Sequence, residues 1–161
     1  MSTAKKPATN VYFAGPLFSH AERAWNAAVA DRLRRLLPHI AIVLPQEFDH
    51  EAGTDFADIF RTCIAGITAA DIVIAVIDGR HPDSGTCMEI GYARALGKPT
   101  IGICTGPHNS QLDRAQALVR SGCTSLLTCP DKAAPDQLAA ELVRRISDQH
   151  QQAGPPGPRL T

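Results

Sequence analysis

The sequence predicts a doubly wound α/β domain built on a five-stranded parallel sheet. Three observations carry that expectation. Short apolar runs recur along the chain at Val11–Ala14, Ile40–Leu44, Ile72–Ile77, Thr100–Cys104 and Thr124–Thr128. A stretch of helical period separates each run from the next, which is the pattern of β-α-β crossovers. The third run is apolar without a break, as expected of a parallel strand covered on both faces. Right-handed crossovers place helices on both sides of such a sheet. A flavodoxin-like order, 2-1-3-4-5, puts the topological switch point between the first and third strands.

Each element follows from local signals. Residues 1 to 9 read as a flexible lead-in, and 10 to 150 as a single domain. The first strand, Val11 to Ala14, is closed by the Gly15-Pro16 turn. Ser19 caps a helix whose apolar positions include Ala24, Trp25, Ala28, Val29, Leu33, Leu36 and Leu37, and Pro38 ends it. Pro45 stops the second strand, and Gln46 to Gly53 is a polar loop. Asp55 to Thr68 is a helix with Phe56, Ile59, Phe60, Cys63, Ile64 and Ile67 on one side. Asp78-Gly79 ends the third strand, and Asp83-Ser84-Gly85 supplies turn and cap residues for the next helix, which Gly97 terminates. After the fourth strand come a loop at 105–110, a helix from about Gln111 to Ser121 and the fifth strand. A last helix spans about Pro135 to Gln149. Residues 151 to 161, with three prolines and two glycines, read as a disordered tail.

Composition narrows the function. Sixteen basic residues balance sixteen acidic ones, so no global field favours a nucleic acid polymer or an anionic membrane. No run approaches the roughly 20 apolar residues of a membrane span, and the polar N-terminus lacks a signal-peptide core. The five cysteines have neither CxxC nor zinc spacing. Reduced, mostly buried thiols in a cytoplasmic protein are the expectation, with no metal site.

With the first and third strands adjacent, the loops that follow them share one crevice. Tyr12, Gly15, Pro16, Leu17 and Phe18 are thereby brought towards Asp83, Ser84, Gly85 and Glu89. Glu89 lies about one turn into its helix, where the dipole favours the ionised carboxylate. Taken alone, Glu89 and Asp83 also fit a solvated first-turn glutamate and an ordinary cap, and Tyr12 also fits an aromatic packed in a strand core. No phosphate loop, dinucleotide fingerprint or GxSxG elbow is present. Two carboxylates and a tyrosine in one pocket suit glycosidic chemistry on a neutral ring ligand, with Tyr12 placed to hydrogen-bond Glu89 and fix its rotamer.

Three segments, Val11-Tyr12-Phe13-Ala14-Gly15-Pro16-Leu17-Phe18, Asp71-Ile72-Val73-Ile74-Ala75-Val76, and Asp83-Ser84-Gly85-Thr86 with Glu89-Ile90-Gly91-Tyr92-Ala93 and Ala95-Leu96-Gly97-Lys98-Pro99, resemble the nucleoside 2-deoxyribosyltransferase family over roughly residues 10 to 104. The resemblance implies a retaining glycosyl transfer without metal or organic cofactor. In it, Glu89 attacks C1′ of a 2′-deoxynucleoside and expels the base, and a second base takes the sugar. Tyr12 orients the glutamate, Asp83 holds sugar hydroxyls, and Phe18 and Gln46 contact the base. It also implies a homodimer or higher homo-oligomer.

Two departures stand out. Where many members carry an aspartate that helps protonate the departing base, this chain has Cys63, and a thiol of pKa about 8.5 is a poor acid there. Asp55, Asp58, Asp71 or a water are substitutes among which the sequence does not choose. An Asn-Leu-Met segment that enters the neighbouring subunit's pocket is replaced by Gln116-Ala117-Leu118-Val119, so Gln116 is the candidate to reach across an interface. Two other activities compete. One is hydrolysis of 2′-deoxynucleoside 5′-monophosphates, with Ser19, Arg23 and Ser84 as phosphate ligands. The other is non-catalytic nucleoside sensing.

Overall fold

The computed structural model describes residues 9–48, 55–106, 114, 116–129 and 135–152, the side chains of 150–152 excepted. Five strands, β1 (Thr9–Ala14), β2 (Ile40–Val43), β3 (Ile72–Val76), β4 (Thr100–Cys104) and β5 (Ser125–Thr128), pair in parallel in the order β2-β1-β3-β4-β5. The expected flavodoxin-like order is therefore the observed one. The register sets Tyr12 beside Val43 on one flank and Val73 on the other.

Side-chain alternation along β1 sorts the core into two layers. Val11 and Phe13 join Val29, Leu33, Ile74, Val76, Ile101, Leu138 and Leu142 on the side of α1 (His20–Leu36) and α5 (Pro135–Gln152). Tyr12 and Ala14 join Ile67, Val73, Ala75, Ile77 and Ile90 on the side of α2 (Phe56–Ala69) and α3 (Ser84–Ala95), with α4 (Ala117–Gly122) packed against α3. β3 and β4 are buried along their whole length, the physical counterpart of their unbroken apolar sequence.

Local chemistry sets the helix ends. Ser19 and Glu22 form a reciprocal capping box at the start of α1. Asp55 caps α2 and Asp83 caps α3. After α3 the chain reverses at Gly97, whose φ of 68° is a conformation that costs a β-carbon residue energy.

Some boundaries differ from expectation. β1 starts at Thr9, inside the expected lead, because its edge pairs with Ile40 of β2. Pro45–Glu47 forms a short 3-10 turn rather than irregular loop, and α5 runs on to Gln152, into the expected tail. Residues 1–8, 49–54, 107–113, 115, 130–134 and 153–161 lie outside the described residues. The expectations for most of the lead, the 46–53 loop, the 105–110 loop, the start of the fourth helix and the tail fall largely on them.

Candidate active site

Glu89 sits in the second turn of α3, facing the sheet, and is only 9% exposed. The Tyr12 hydroxyl, on the facing strand β1, donates a 2.6 Å hydrogen bond to Glu89 Oε1. Both partners are fixed by the fold. Tyr12 is fully buried in β1, an interior strand of the sheet, and α3 is held by Asp83, whose Oδ2 accepts from the Thr86 N–H at 2.8 Å and the Thr86 hydroxyl at 3.0 Å. Among the described residues nothing bonds the other Asp83 oxygen, which keeps its acceptor capacity.

Electrostatics here run against the sequence expectation. The helix dipole was expected to favour ionised Glu89, yet its pKa is pushed up from 4.5 to about 7. Burial is the main cause, the Asp83 carboxylate adds to it, and the Tyr12 hydrogen bond opposes it. The physical reason is a comparison of sizes. A dipole effect of about 0.3–1 kcal/mol fades within the first turn, whereas desolvation of a nearly buried carboxylate shifts it by units. The Tyr12 phenol is also raised, by burial first and then by Glu89, so it remains a neutral donor. A glutamate poised near neutrality beside a fixed donor is the arrangement expected of a reacting group rather than of a capping residue.

Cys63, on α2, neighbours this pair. It packs against the same layer as Tyr12, and burial pushes its thiol up, with Glu89 raising it further and Tyr12 lowering it. The thiol therefore stays protonated at neutral pH, a weak acid held next to the Glu89 carboxylate. Asp71 is not an alternative acid: its Oδ2 accepts from the Asn10 N–H at 2.8 Å, at the start of the strands and the far edge of the sheet from the crevice. Asp55 caps α2 and Asp58 pairs with Arg61.

The remaining candidates divide. Gly15 and Pro16 lie in the loop after β1, where a β-carbon on Gly15 would come 3.2 Å from Val76 Cγ2. Ser84 and Gly85 form the exposed first turn of α3. Phe18 is 73% exposed at the mouth. Gln46 is drawn instead to α1: its Nε2 donates to the Arg23 carbonyl at 2.8 Å and its Oε1 accepts from Asn26 Nδ2 at 3.2 Å. Gln116 is turned inward, 1% exposed, with its amide donating to the Gly79 carbonyl of the same chain. It does not project towards a neighbour, because burial of its amide in its own fold requires that partner.

Two residues that hold the site were not singled out from the sequence. Gly66 on α2 leaves room for the Tyr12 ring, since a β-carbon there would lie 2.9 Å from Tyr12 Cε2. A glycine within a helical pattern signals such an approach. Asn26 is a buried polar residue on the apolar face of α1, donating to the Pro16 carbonyl at 2.9 Å and so anchoring the loop after β1. Among the described residues no group of three His, Cys, Asp or Glu side chains is placed to hold a metal ion, and no helix is long and apolar enough to cross a membrane.

Comparison with known proteins accords with this geometry. A protein of Enterococcus faecalis described only as conserved superposes with a TM-score of 0.67 at 27% identity, covering 86% of this chain and 99% of its own. A 2-deoxyribosyltransferase from Bacillus psychrosaccharolyticus shares the fold with a TM-score of 0.63 at 19% identity, over 81% of this chain and 90% of that one. A CMP N-glycosidase from Clostridium botulinum does so with a TM-score of 0.56 at 18% identity, over 84% and 99%. No curated protein matches the chain. The sequence pattern of the family described as nucleoside 2-deoxyribosyltransferase matches residues 11–146. The chain is a member of the nucleoside 2-deoxyribosyltransferase family.

Proposed function

We propose that the protein cleaves the N-glycosidic bond of 2′-deoxynucleosides and transfers the sugar to a second nucleobase. The observation that carries this reading is the buried Tyr12–Glu89 hydrogen bond beside the half-free Asp83 carboxylate. In the first half-reaction an ionised Glu89 oxygen bonds to C1′ as the C1′–N bond breaks, and the electron pair leaves with the base, which takes up a proton. In the second, a nitrogen of the incoming base attacks C1′ and the carboxylate departs. Retention follows from two displacements at one carbon. Tyr12 holds the attacking oxygen in one rotamer and helps it bear charge, and Asp83 Oδ1 accepts from a sugar hydroxyl. With Cys63 protonated at its raised pKa, the departing base draws its proton from solvent.

Hydrolysis of 2′-deoxynucleoside 5′-monophosphates is the second reading, favoured by the likeness to the CMP N-glycosidase fold. Two of the three candidate phosphate ligands are otherwise engaged, however. The Ser19 hydroxyl accepts from the Glu22 N–H, and Arg23 donates to the Leu17 carbonyl at 2.8 Å. The nucleoside reading therefore takes precedence. Incubating the protein with thymidine or its monophosphate, with and without adenine, separates the two. Adenine-dependent formation of deoxyadenosine from thymidine supports transfer, whereas base release from the monophosphate alone supports hydrolysis.

The reading includes a homo-oligomer in the cytoplasm. Of the side chains of α2 only Ile67 is buried, and Phe56 and Phe60 are exposed, an apolar face that a second copy would cover. Cys63, Cys87, Cys123 and Cys129 are free thiols, as a reducing compartment would keep them.

A further inference from the structure

A cavity of about 330 Å³ opens on the α1 face of the sheet, on the opposite side of β1 from Glu89. It lies at the carboxyl ends of β3 and β4, between Pro16, Trp25 and Asn26 on one wall and Val76, Asp78 and Thr105 on the other. That volume is at the lower end of the roughly 300–1,000 Å³ typical of small-molecule sites, and the carboxyl edge of a parallel sheet is where such sites form.

The polar groups of the wall are arranged with one sense. Asn26 is 3% exposed, and its amide orientation is fixed from two directions. Its Nδ2 donates to the Pro16 carbonyl and to Gln46 Oε1, while Gln46 is itself fixed by donating to the Arg23 carbonyl. Asn26 Oδ1 is thus the end left over, and among the described residues nothing donates to it. Asp78 accepts from the Thr105 N–H at 2.5 Å and from the Thr105 hydroxyl, which spends the donors of that wall. Glu22, also at the cavity, accepts from Phe18 and Ser19. What remains facing a guest is acceptor capacity and negative charge, next to the indole of Trp25. Among the described residues no cationic side chain lines the cavity.

The geometry points to a second ligand site here, for a small planar aromatic carrying an amine or ring N–H donor. The guest stacks on Trp25 and donates to Asn26 Oδ1, an acceptor that the protein leaves to whatever occupies the cavity. Aromatic anions are excluded by the Asp78 and Glu22 carboxylates. The site is independent of the glycosyl-transfer reading, because none of its residues is assigned a bond-making or proton-transfer role in it. It touches the catalytic crevice only through Pro16, which Asn26 holds.

Trp25 is the only tryptophan of the chain, so its fluorescence reads this cavity directly. The test titrates adenine, and benzoate as the anionic control, into the full-length protein and into the Glu89→Ala, Asn26→Leu and Ala21→Phe variants. Ala21 is an exposed helix residue at the cavity, so a larger side chain there obstructs the opening without disturbing the Asn26 hydrogen bonds. Adenine is expected to change Trp25 emission saturably and equally in wild type and Glu89→Ala, with no response to benzoate. Asn26→Leu and Ala21→Phe are each expected to weaken the response at least about tenfold, the worth of one buried hydrogen bond or more. The inference is overturned by the absence of a saturable response in wild type, or by its loss in Glu89→Ala, which would place the ligand in the catalytic crevice. Unchanged affinity in Ala21→Phe, which remains informative should Asn26→Leu fail to fold, or equal binding of benzoate, overturns it as well.

Discussion

Tyr12 and Glu89, 77 residues apart in the chain, meet across the crevice through a 2.6 Å hydrogen bond in which both partners are almost wholly shielded from water. Such a bond strengthens when its acceptor is charged, to about 1.5–3 kcal/mol. It opposes the effect of burial on the Glu89 pKa, so Tyr12 acts on the protonation of Glu89 as well as on its orientation.

Removing the hydroxyl is expected to show both effects. Tyr12→Phe should lower kcat by roughly 10- to 100-fold, as loss of a charge-assisted hydrogen bond implies. It should also move the acid limb of the kcat/KM profile to higher pH, because the ionised carboxylate loses its donor. A pH-rate series on wild type and variant checks this. A slower enzyme with an unmoved limb would assign Tyr12 a packing role only.

Asp83 pushes in the opposite direction, since its charge raises the Glu89 pKa. Asp83→Asn should therefore shift the same limb to lower pH. Asparagine still caps a helix, so the melting temperature should change little, by about 0.5 kcal/mol or less in stability. Substrate binding should weaken through loss of the sugar contact, read as a raised KM for deoxynucleoside.

The raised Glu89 pKa also has a consequence for stability. A folded-state pKa near 7 against an unfolded value near 4.5 means that between these pH values the native state holds more of the proton. Stability accordingly declines as pH rises through that window, by up to on the order of 3 kcal/mol. Glu89→Gln removes the titrating group while keeping an oxygen for Tyr12, so the variant should be more stable than wild type above pH 7 and show a flatter profile. Chemical denaturation of both proteins from pH 4.5 to 8 measures it.

Gly66 makes the close packing of α2 on β1 possible. Alanine there would gain about 1 kcal/mol in helix propensity, but its β-carbon would press on the fully buried Tyr12 ring at 2.9 Å. Overpacking of this kind costs about 1–3 kcal/mol, so Gly66→Ala is expected to lower stability on balance and to reduce kcat more than it raises KM. Thermal melts and steady-state kinetics together report both effects.

Much of this arrangement was legible in the sequence, for identifiable reasons. The unbroken apolar run of β3 and the alternation of helices pointed to a parallel sheet, and the order 2-1-3-4-5 then brought Tyr12 towards Glu89. The protonation of Glu89 was misjudged because a sequence shows the helix terminus but not the burial that outweighs its dipole. Gln46 and Gln116 were read as reaching for ligands, whereas each side chain satisfies backbone carbonyls of its own fold, Arg23 and Gly79. Pairing of that kind depends on three-dimensional neighbours that no local pattern records. Gly66 and Asn26 did leave a trace, one as a glycine within a helix and the other as an amide on an apolar helix face, and only the structure gives that trace a meaning.

The most direct test of the central claim is to mix the protein with a 2′-deoxynucleoside in the absence of acceptor base, quench in acid, and map the modified peptide by mass spectrometry. The account predicts a 2-deoxyribosyl ester on Glu89, formed in step with one equivalent of released base and discharged when adenine is added before the quench. A sugar adduct on any other residue, or full base release by a Glu89→Ala variant, would contradict it.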